Sequence, residues 1–165
     1  MSSYFVSLGS NINPVMNVTL MLQELLNISE KVDVSRIIET EPVGFESHNK
    51  FLNLSVRIET EKNPHQLKEY LNAIETQLGR DRTHINRKFQ DRVADLDILF
   101  VLDEQEIFVD ENLLPSEDYI KSPLVELIHF LELKCHSSID FVQEGVEINM
   151  NNILIGKKPI TLSNC

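Results

Sequence analysis

The chain has 165 residues, of which 42% are hydrophobic, and its formal net charge is -11 at pH 7. This length and composition are typical of one globular domain with a hydrophobic core, and they exclude a disordered chain. The excess of negative charge argues against a nucleic-acid partner, and the lack of a long apolar run or a secretory signal predicts a cytoplasmic protein without a membrane span.

The first part of the chain alternates strand and helix patterns. Ser3–Leu8 is largely apolar and predicts a central strand. Asn13 and Pro14 are typical of a helix start, and the spacing of the following apolar residues predicts a helix to about Ile28. A second strand is predicted over Asp33–Glu39, before a segment with the composition of a loop.

The middle of the chain repeats this alternation more clearly. Phe51–Thr60 predicts a strand, because apolar residues occupy every second position. Asn63 and Pro64 then open a second predicted helix, which Gly79 ends. A basic segment follows, and Ala94–Leu102 predicts another strand.

The remaining elements are less sharply patterned. We expect a short strand at Glu106–Val109, a helix around Ser122–Leu133, a short strand or helix at Ile148–Ile155 and a loosely held tail over residues 156–165. The order of the first six elements is that of a ferredoxin-like β-α-β-β-α-β sandwich, an α+β fold in which helices cover one face of an antiparallel sheet. We therefore predict one domain over residues 1–165, with a C-terminal extension after this core.

Two carboxylates, Asp95 and Asp97, open the strand Ala94–Leu102. Alternate side chains of a strand share a face, and two adjacent negative charges favour a cation that prefers oxygen ligands, such as magnesium. The preceding segment contributes Arg80, Arg82, Arg87, Lys88 and Arg92. Together they predict a site for a polyphosphate and its metal, although a solvated strand edge and a loop with surface ion pairs remain alternatives.

Four motifs then occur in an order that points to a known family. They are Leu8-Gly9-Ser10-Asn11, Glu39-Thr40-Glu41-Pro42-Val43-Gly44 ahead of Phe51-Leu52-Asn53, Gly79-Arg80-Asp81-Arg82, and Arg92-Val93-Ala94-Asp95-Leu96-Asp97-Ile98-Leu99. Over residues 3–103 the chain resembles the 6-hydroxymethyl-7,8-dihydropterin pyrophosphokinases of folate biosynthesis. The resemblance implies a ferredoxin-like core and a magnesium-dependent transfer of pyrophosphate from ATP to a pterin.

The resemblance also implies roles for individual residues. Asp95 and Asp97 are expected to hold two magnesium ions on ATP, and Arg82 and Arg92 are expected to act with them in catalysis. The positions implied for the pterin pocket are Thr40, Val43, Phe51, Asn53 and Phe89. The positions implied for ATP are Glu75, Arg80, Arg82, Arg92 and Ile98. Phe51 as ordinary core and Asn53 as a partner of the loop backbone remain alternative interpretations.

The chain departs from the family pattern mainly on the nucleotide side. Where the family usually has a tryptophan and Gly-Pro, this chain has Lys88-Phe89-Gln90-Asp91, and Phe89 is the candidate stacking lid. Leu114-Pro115-Ser116-Glu117-Asp118 replaces a Pro-His-Tyr-like motif, and Lys121 is the only basic residue near the position of a downstream arginine. Carboxylates at this place should weaken ATP binding by charge repulsion.

These departures leave three functions open. The first is the pyrophosphokinase, with pterin and ATP as small-molecule partners and a monomer or weak homodimer as the expected assembly. The second is a pterin-binding paralogue that has a weakened or lost ATP site and no kinase activity. The third is a small-anion binding or protein-interaction domain that uses the fold alone.

Overall fold

The structure is a computed structural model that describes residues 1–81, 83, 90–138 and 143–164. In these ranges the strands are β1 (Ser2–Ser10), β2 (Lys31–Val34), β3 (Ile38–Thr40), β4 (Phe51–Thr60), β5 (Asp95–Leu102), β6 (Ile148–Met150), β7 (Ile153–Ile155) and β8 (Ile160–Ser163). The helices are α1 (Pro14–Leu25), α2 (Pro64–Gln77) and α3 (Asp118–Phe130). None of them combines the length and the apolar character that a membrane crossing requires.

Six strands form one antiparallel sheet. Five of them follow the order β5-β1-β4-β2-β8, and β3 pairs with β4 beyond the end of β2. Every pairing in this sheet is antiparallel. The predicted α+β class, with helices packed on an antiparallel sheet, is confirmed.

The first two helices cover one face of the sheet. The apolar stripes of α1 and α2 meet alternate residues of the central strands in one buried cluster, which includes Val18, Met21, Leu22, Leu67, Leu71, Ile74, Tyr4, Val6, Leu54 and Val56. Burial of apolar side chains at about 25 cal/mol per Å² is the main term that holds these layers together. The apolar spacing that predicts both helices therefore faces the core, as expected.

The third helix follows the six-element core and lies on the opposite face of the sheet from α1 and α2. Phe5 points away from the first cluster, because its neighbours in β1 point into it. Its ring stacks on Phe100 with a centroid separation of 4.5 Å. Leu124, Leu127 and Ile128 of α3 cover this aromatic pair. The site described below therefore lies between the sheet and the start of α3.

Local sequence explains where the helices begin and end. At the start of α2, the side chain of Asn63 accepts a hydrogen bond from the Gln66 amide, and the Gln66 side chain accepts one from the Asn63 amide, both at 2.9 Å. After α2, Gly79 adopts a φ of 109°, a left-handed conformation that glycine favours at a helix end. α1 ends at Leu25, so the predicted end at Ile28 is three residues too late.

Three further element predictions need correction. The strand predicted over Asp33–Glu39 is split into β2 and β3, because the Ile37 amide bonds to the Gly156 carbonyl instead of continuing the ladder with β4. Glu106–Val109 is not a strand and makes only an isolated bridge between Phe108 and Lys134. The third helix runs from Asp118 to Phe130 rather than over Ser122–Leu133, with a proline inside it.

The C-terminal segment is more ordered than its pattern predicts. Ile148–Ile155 forms the hairpin of β6 and β7, and Asn151 and Asn152 take positive φ angles of 50° and 70° in its turn. The supposedly loose tail contributes β8, which pairs with β2. Asp33 in β2 accepts a hydrogen bond from Thr161 at 2.5 Å, and this contact joins the tail to the sheet.

Candidate active site

The two strand carboxylates lie on the face that α3 partly covers. In the sheet register, Gly9 of β1 stands opposite both Asp95 of β5 and Asn53 of β4. Ser7 stands opposite Asp97 in the same way. Directly paired residues of an antiparallel sheet point to the same side, so the carboxylates and the Asn53 amide share one surface.

A pocket of about 90 Å³ opens on this surface. From the positions expected to bind a pterin, its wall includes Thr40, Val43, Phe51 and Asn53. From the positions expected to bind phosphate and metal, its wall includes Arg92, Asp95 and Asp97. Two groups of residues that are distant in sequence thus line the same cavity.

Neutral contacts hold the wall formed by Thr40, Val43, Phe51 and Asn53, which we call the pterin-side wall after the expectation above. Asn53 Nδ2 donates a hydrogen bond to Thr40 Oγ1 at 2.5 Å. Phe51 is only 7% exposed, and its ring makes a T-shaped contact with the Phe45 ring at a centroid separation of 6.3 Å. Gly9 leaves room for the amide, because a side chain there would bring its Cβ to 3.0 Å from Asn53 Oδ1. Phe51 is therefore both packed and open to the pocket, while Asn53 bonds a side chain rather than the loop backbone.

Ion pairs hold the wall formed by Arg92, Asp95 and Asp97, which we call the phosphate-side wall. Arg80 Nη1 lies 2.9 Å from Asp95 Oδ1, and Arg92 Nη1 lies 3.3 Å from Asp95 Oδ2. Arg80 also lies 3.2 Å from Glu75 Oε2. Both oxygens of Asp95 are thus engaged by guanidinium groups, whereas Asp97 has no ion pair at or below 4.0 Å within the described residues.

The pKa of Asp97 reflects this imbalance. Desolvation in the pocket, the neighbouring charge of Asp95 and then that of Glu75 raise the pKa of Asp97 from 3.8 to about 6, and Arg80 opposes the rise. By its accessible surface the residue is exposed, so desolvation of its carboxylate is only partial. An extra cation at this position would relieve the repulsion, so Asp95 and Asp97 are the residues that could hold a metal.

The described residues contain no group of three or more histidine, cysteine, aspartate or glutamate side chains placed to hold a metal ion. A hard cation at the Asp95–Asp97 pair would need further oxygen ligands from a bound molecule and from water. Magnesium is commonly bound in this way, through one or two carboxylates together with substrate phosphates.

Five expected residues do not line the pocket or lie outside the described residues. Arg80 is not part of the pocket wall and instead contacts Asp95, which is. Glu75 is fully buried and accepts a hydrogen bond from the Leu96 amide at 2.8 Å, so it supports β5 and Arg80 from below. Ile98 packs against the core on the other face of the sheet. Arg82 and Phe89 lie outside the described residues. Direct nucleotide contacts by Glu75 and Ile98 therefore have no support from the geometry.

Tyr119 is a pocket residue that sequence reasoning missed. It lies in the first turn of α3, and its pKa is raised mainly by desolvation and then by the charge of Glu117. Arg92, Asp95 and Asp97 also influence this pKa, which places the hydroxyl within the field of the carboxylate pair. An aromatic residue in an otherwise polar segment is the signal that could have identified it.

Comparisons with known proteins agree with the family that the four motifs indicate. The chain matches the sequence profile described as 7,8-dihydro-6-hydroxymethylpterin-pyrophosphokinase over residues 5–129. It is similar to the 2-amino-4-hydroxy-6-hydroxymethyldihydropteridine pyrophosphokinase of Bacillus subtilis, with 32% identity over 151 residues that cover 87% of this chain and 88% of the relative.

Two further relatives carry related names. The Porphyromonas gingivalis protein of the same name is 31% identical over 138 residues, which cover 79% of this chain and 94% of the relative. A folate synthesis bifunctional protein of Arabidopsis thaliana is 32% identical over 133 residues, which cover 74% of this chain and 26% of the relative. The expected resemblance is confirmed, and the chain belongs to the 6-hydroxymethyl-7,8-dihydropterin pyrophosphokinase family.

Proposed function

We propose that this protein transfers the terminal pyrophosphate of ATP to the hydroxymethyl group of 6-hydroxymethyl-7,8-dihydropterin, with magnesium, in folate biosynthesis. The observation that supports it best is that one pocket is lined by both Asn53 and the Asp95–Asp97 pair. In this reaction the hydroxymethyl oxygen releases its proton and forms a bond to the β-phosphorus of ATP. The bond between that phosphorus and the bridging oxygen to the α-phosphate breaks, and AMP leaves with the bridging oxygen.

The chemistry of the pterin-side wall supports a flat heterocyclic substrate. Phe51 offers an aromatic ring at the pocket, which favours stacking with another ring. Asn53 and Thr40 offer an amide and a hydroxyl, which can donate and accept hydrogen bonds along the edge of such a ring. An apolar face beside a hydrogen-bonding edge is the arrangement that a pterin requires.

The phosphate-side wall supports a metal-bound polyphosphate. Asp95 and Asp97 together with phosphate and water oxygens fit magnesium. Desolvation, followed by the charges of Asp95 and Glu75, raises the pKa of Asp97, and a cation at this position would oppose that rise. When bound, magnesium neutralises charge on the phosphate oxygens during transfer. The 3.3 Å separation between Arg92 and Asp95 is long for a charge-assisted hydrogen bond, so we expect Arg92 to turn toward phosphate oxygens.

A pterin-binding paralogue without kinase activity is the second candidate, because carboxylates stand at the start of α3. Glu117 is the residue immediately before this helix, and Asp118 is in its first turn. After desolvation, the charge of Glu117 is the next cause of the raised pKa of Tyr119, a residue of the pocket wall. Negative charge at this position would oppose a nucleotide triphosphate.

Measuring AMP formation distinguishes the two candidates. The purified protein is incubated with ATP, magnesium and the hydroxymethyl pterin, and pterin binding is measured separately by calorimetry. The proposed reaction predicts AMP and pterin pyrophosphate in equal amounts, and no AMP when the pterin or magnesium is omitted. Pterin binding without AMP at saturating substrates would favour the paralogue, and failure of both would contradict the proposed function.

A further inference from the structure

We propose that Asp91 is a positioning residue that fastens the loop of residues 41–50 onto the segment that carries Arg92. The inference builds on the proposed function, because it assigns Asp91 to the geometry of the pterin end of that site. It concerns a carboxylate that sequence reasoning placed only in a segment departing from the family pattern.

Asp91 binds three side chains from two other parts of the chain. Its Oδ1 accepts hydrogen bonds from Asn11 Nδ2 at 2.8 Å and from Ser47 Oγ at 2.6 Å. Its Oδ2 accepts one from Asn49 Nδ2 at 2.7 Å. These four residues, Asn11, Ser47, Asn49 and Asp91, form what we call the Asp91 clasp.

The clasp also fixes the backbone on both sides. The Arg92 amide donates to Asn11 Oδ1 at 2.6 Å, and the Asn11 amide donates to the Arg92 carbonyl at 3.0 Å. Asn11 Nδ2 reaches the Asn49 carbonyl at 3.2 Å as well. Asn11 is only 3% exposed, so its contacts are largely shielded from competing water. The β1–α1 turn, residues 41–50 and the backbone of Arg92 are thus tied at one point.

The loop held by the clasp forms part of the pocket wall. Val43 and Phe45 lie in this loop and line the pocket, and Phe45 packs against Phe51. Arg92 lines the phosphate side of the same pocket. A displacement of the loop relative to Arg92 would therefore separate the two ends of the site, although no residue of the clasp lines the pocket itself.

An ionised aspartate suits this position better than its amide. All three side-chain donors are neutral, and two carboxylate oxygens can accept them together, whereas asparagine offers one acceptor oxygen and two N–H donors. The Ser47 hydroxyl is the main reason that the pKa of Asp91 is below its ordinary value, with Asn49 and Asn11 adding to it and desolvation opposing it. The carboxylate thus keeps its full acceptor capacity at neutral pH.

The test compares Asp91→Ala and Asp91→Asn with wild type and with Asp103→Asn. Asp103 is an exposed carboxylate just beyond the end of β5 that lies far from Asp95, so its replacement controls for the loss of one charge. For each protein, the KM values for pterin and for ATP, the kcat and the hydrogen exchange of residues 43–49 are measured. Thermal unfolding verifies that each variant is folded.

We expect Asp91→Ala to raise the KM for pterin about tenfold, because charge-assisted hydrogen bonds that order the loop are lost. The KM for ATP should change less than about twofold, and amides 43–49 should exchange faster while those of α2 do not. Asp91→Asn should fall between Asp91→Ala and wild type, and Asp103→Asn should match wild type.

Two results would overturn the inference. If exchange in residues 43–49 is unchanged in Asp91→Ala, the clasp does not hold the loop. If exchange rises but the KM values for pterin and ATP change equally or not at all, the clasp has only a structural role. Absence of AMP with the wild-type protein would contradict the proposed function instead, and the exchange measurement would still decide whether the clasp holds the loop.

Discussion

The pterin-side and phosphate-side walls form two ends of the pocket, the pterin end and the phosphate end, which are ordered by different interactions. The pterin end is ordered by neutral contacts, such as the Asn53–Thr40 hydrogen bond and the Phe45–Phe51 ring contact. The phosphate end is ordered by ion pairs around Asp95, and it retains negative charge at Asp97. Neutral contacts are complete in the free protein, whereas the surplus charge is balanced only when a cation arrives. The first end is therefore ordered without a ligand, whereas the proposed function requires a cation at the second.

The largest expected effect follows from removing Asp95, which lies at the centre of the phosphate end. Asp95→Ala takes away one carboxylate of the expected metal pair and the partner of Arg80 and Arg92. We expect turnover to fall by a factor on the order of 1,000, because metal and arginine positions are both lost. AMP formation measures this effect, and calorimetry should find pterin affinity nearly unchanged. A parallel loss of pterin affinity would show that the two ends are not separable.

Glu75, which is buried beneath the phosphate end, should contribute to the stability of the fold as well. Glu75 is fully buried and bonds both Arg80 and the Leu96 amide. Glu75→Ala leaves the Leu96 amide without this acceptor and removes one of the two carboxylates beside Arg80. We expect a loss of about 3 kcal/mol in the free energy of unfolding. Urea denaturation measures it, with Glu69→Ala on the exposed side of α2 as the control. A loss below about 1 kcal/mol would contradict the supporting role.

Asn53→Ala probes the pterin end of the pocket. Loss of the amide removes a hydrogen-bonding group from the pocket wall, and we expect the KM for pterin to rise about thirtyfold while the KM for ATP stays within about twofold. Asn27→Ala, an exposed amide after α1, serves as the control. Equal changes in both KM values would mean that Asn53 shapes the whole site rather than its pterin end.

The smallest expected effect is a pH-dependent change in stability caused by Asp97. Its pKa of about 6 in the folded protein is above the ordinary 3.8, so its favourable contribution is complete below pH 3.8 and is lost as the pH rises through 6. Without metal, Asp97→Asn should therefore be more stable than wild type at pH 8. This gain in the free energy of unfolding should be smaller at pH 4. Because Asp97 keeps contact with solvent, we expect a gain on the order of 1 kcal/mol.

Denaturation of both proteins at the two pH values, in the presence of a chelator, provides the measurement. A gain from Asp97→Asn that is equal at pH 4 and pH 8 would show that repulsion between the carboxylates does not operate in the free protein. Addition of magnesium with a nucleotide should stabilise wild type more than the variant, since the variant lacks one expected ligand.

Sequence patterns predict those features of the site that depend on near neighbours. The shared face of Asp95 and Asp97 follows from the two-residue period of a strand, and β4 follows from its alternating apolar residues. Neither pattern contains the strand register. The position of Gly9 between Asp95 and Asn53 therefore becomes apparent only when the three strands are paired.

The features that sequence reasoning missed depend on distant hydrogen bonds. Thr161 and Asp33 are 128 residues apart, and their bond joins the tail to the sheet together with the pairing of β8 and β2. Asn11 and Asp91 are 80 residues apart, so the clasp has no local pattern. Glu75 is a charged residue of α2, which sequence alone would place in solvent. The structure shows that it is buried and that the Leu96 amide of β5 and Arg80 are its partners.

The proposed function requires that metal, nucleotide and pterin occupy one continuous pocket. Manganese can replace magnesium as a paramagnetic probe, in a complex with a nonhydrolysable ATP analogue and the hydroxymethyl pterin. Nuclear relaxation of the bound pterin then reports its distance from the metal. We predict strong relaxation of the pterin protons by manganese in wild type and its loss in Asp97→Ala. A pterin that binds but relaxes as it does without manganese would show that metal and pterin do not share the pocket.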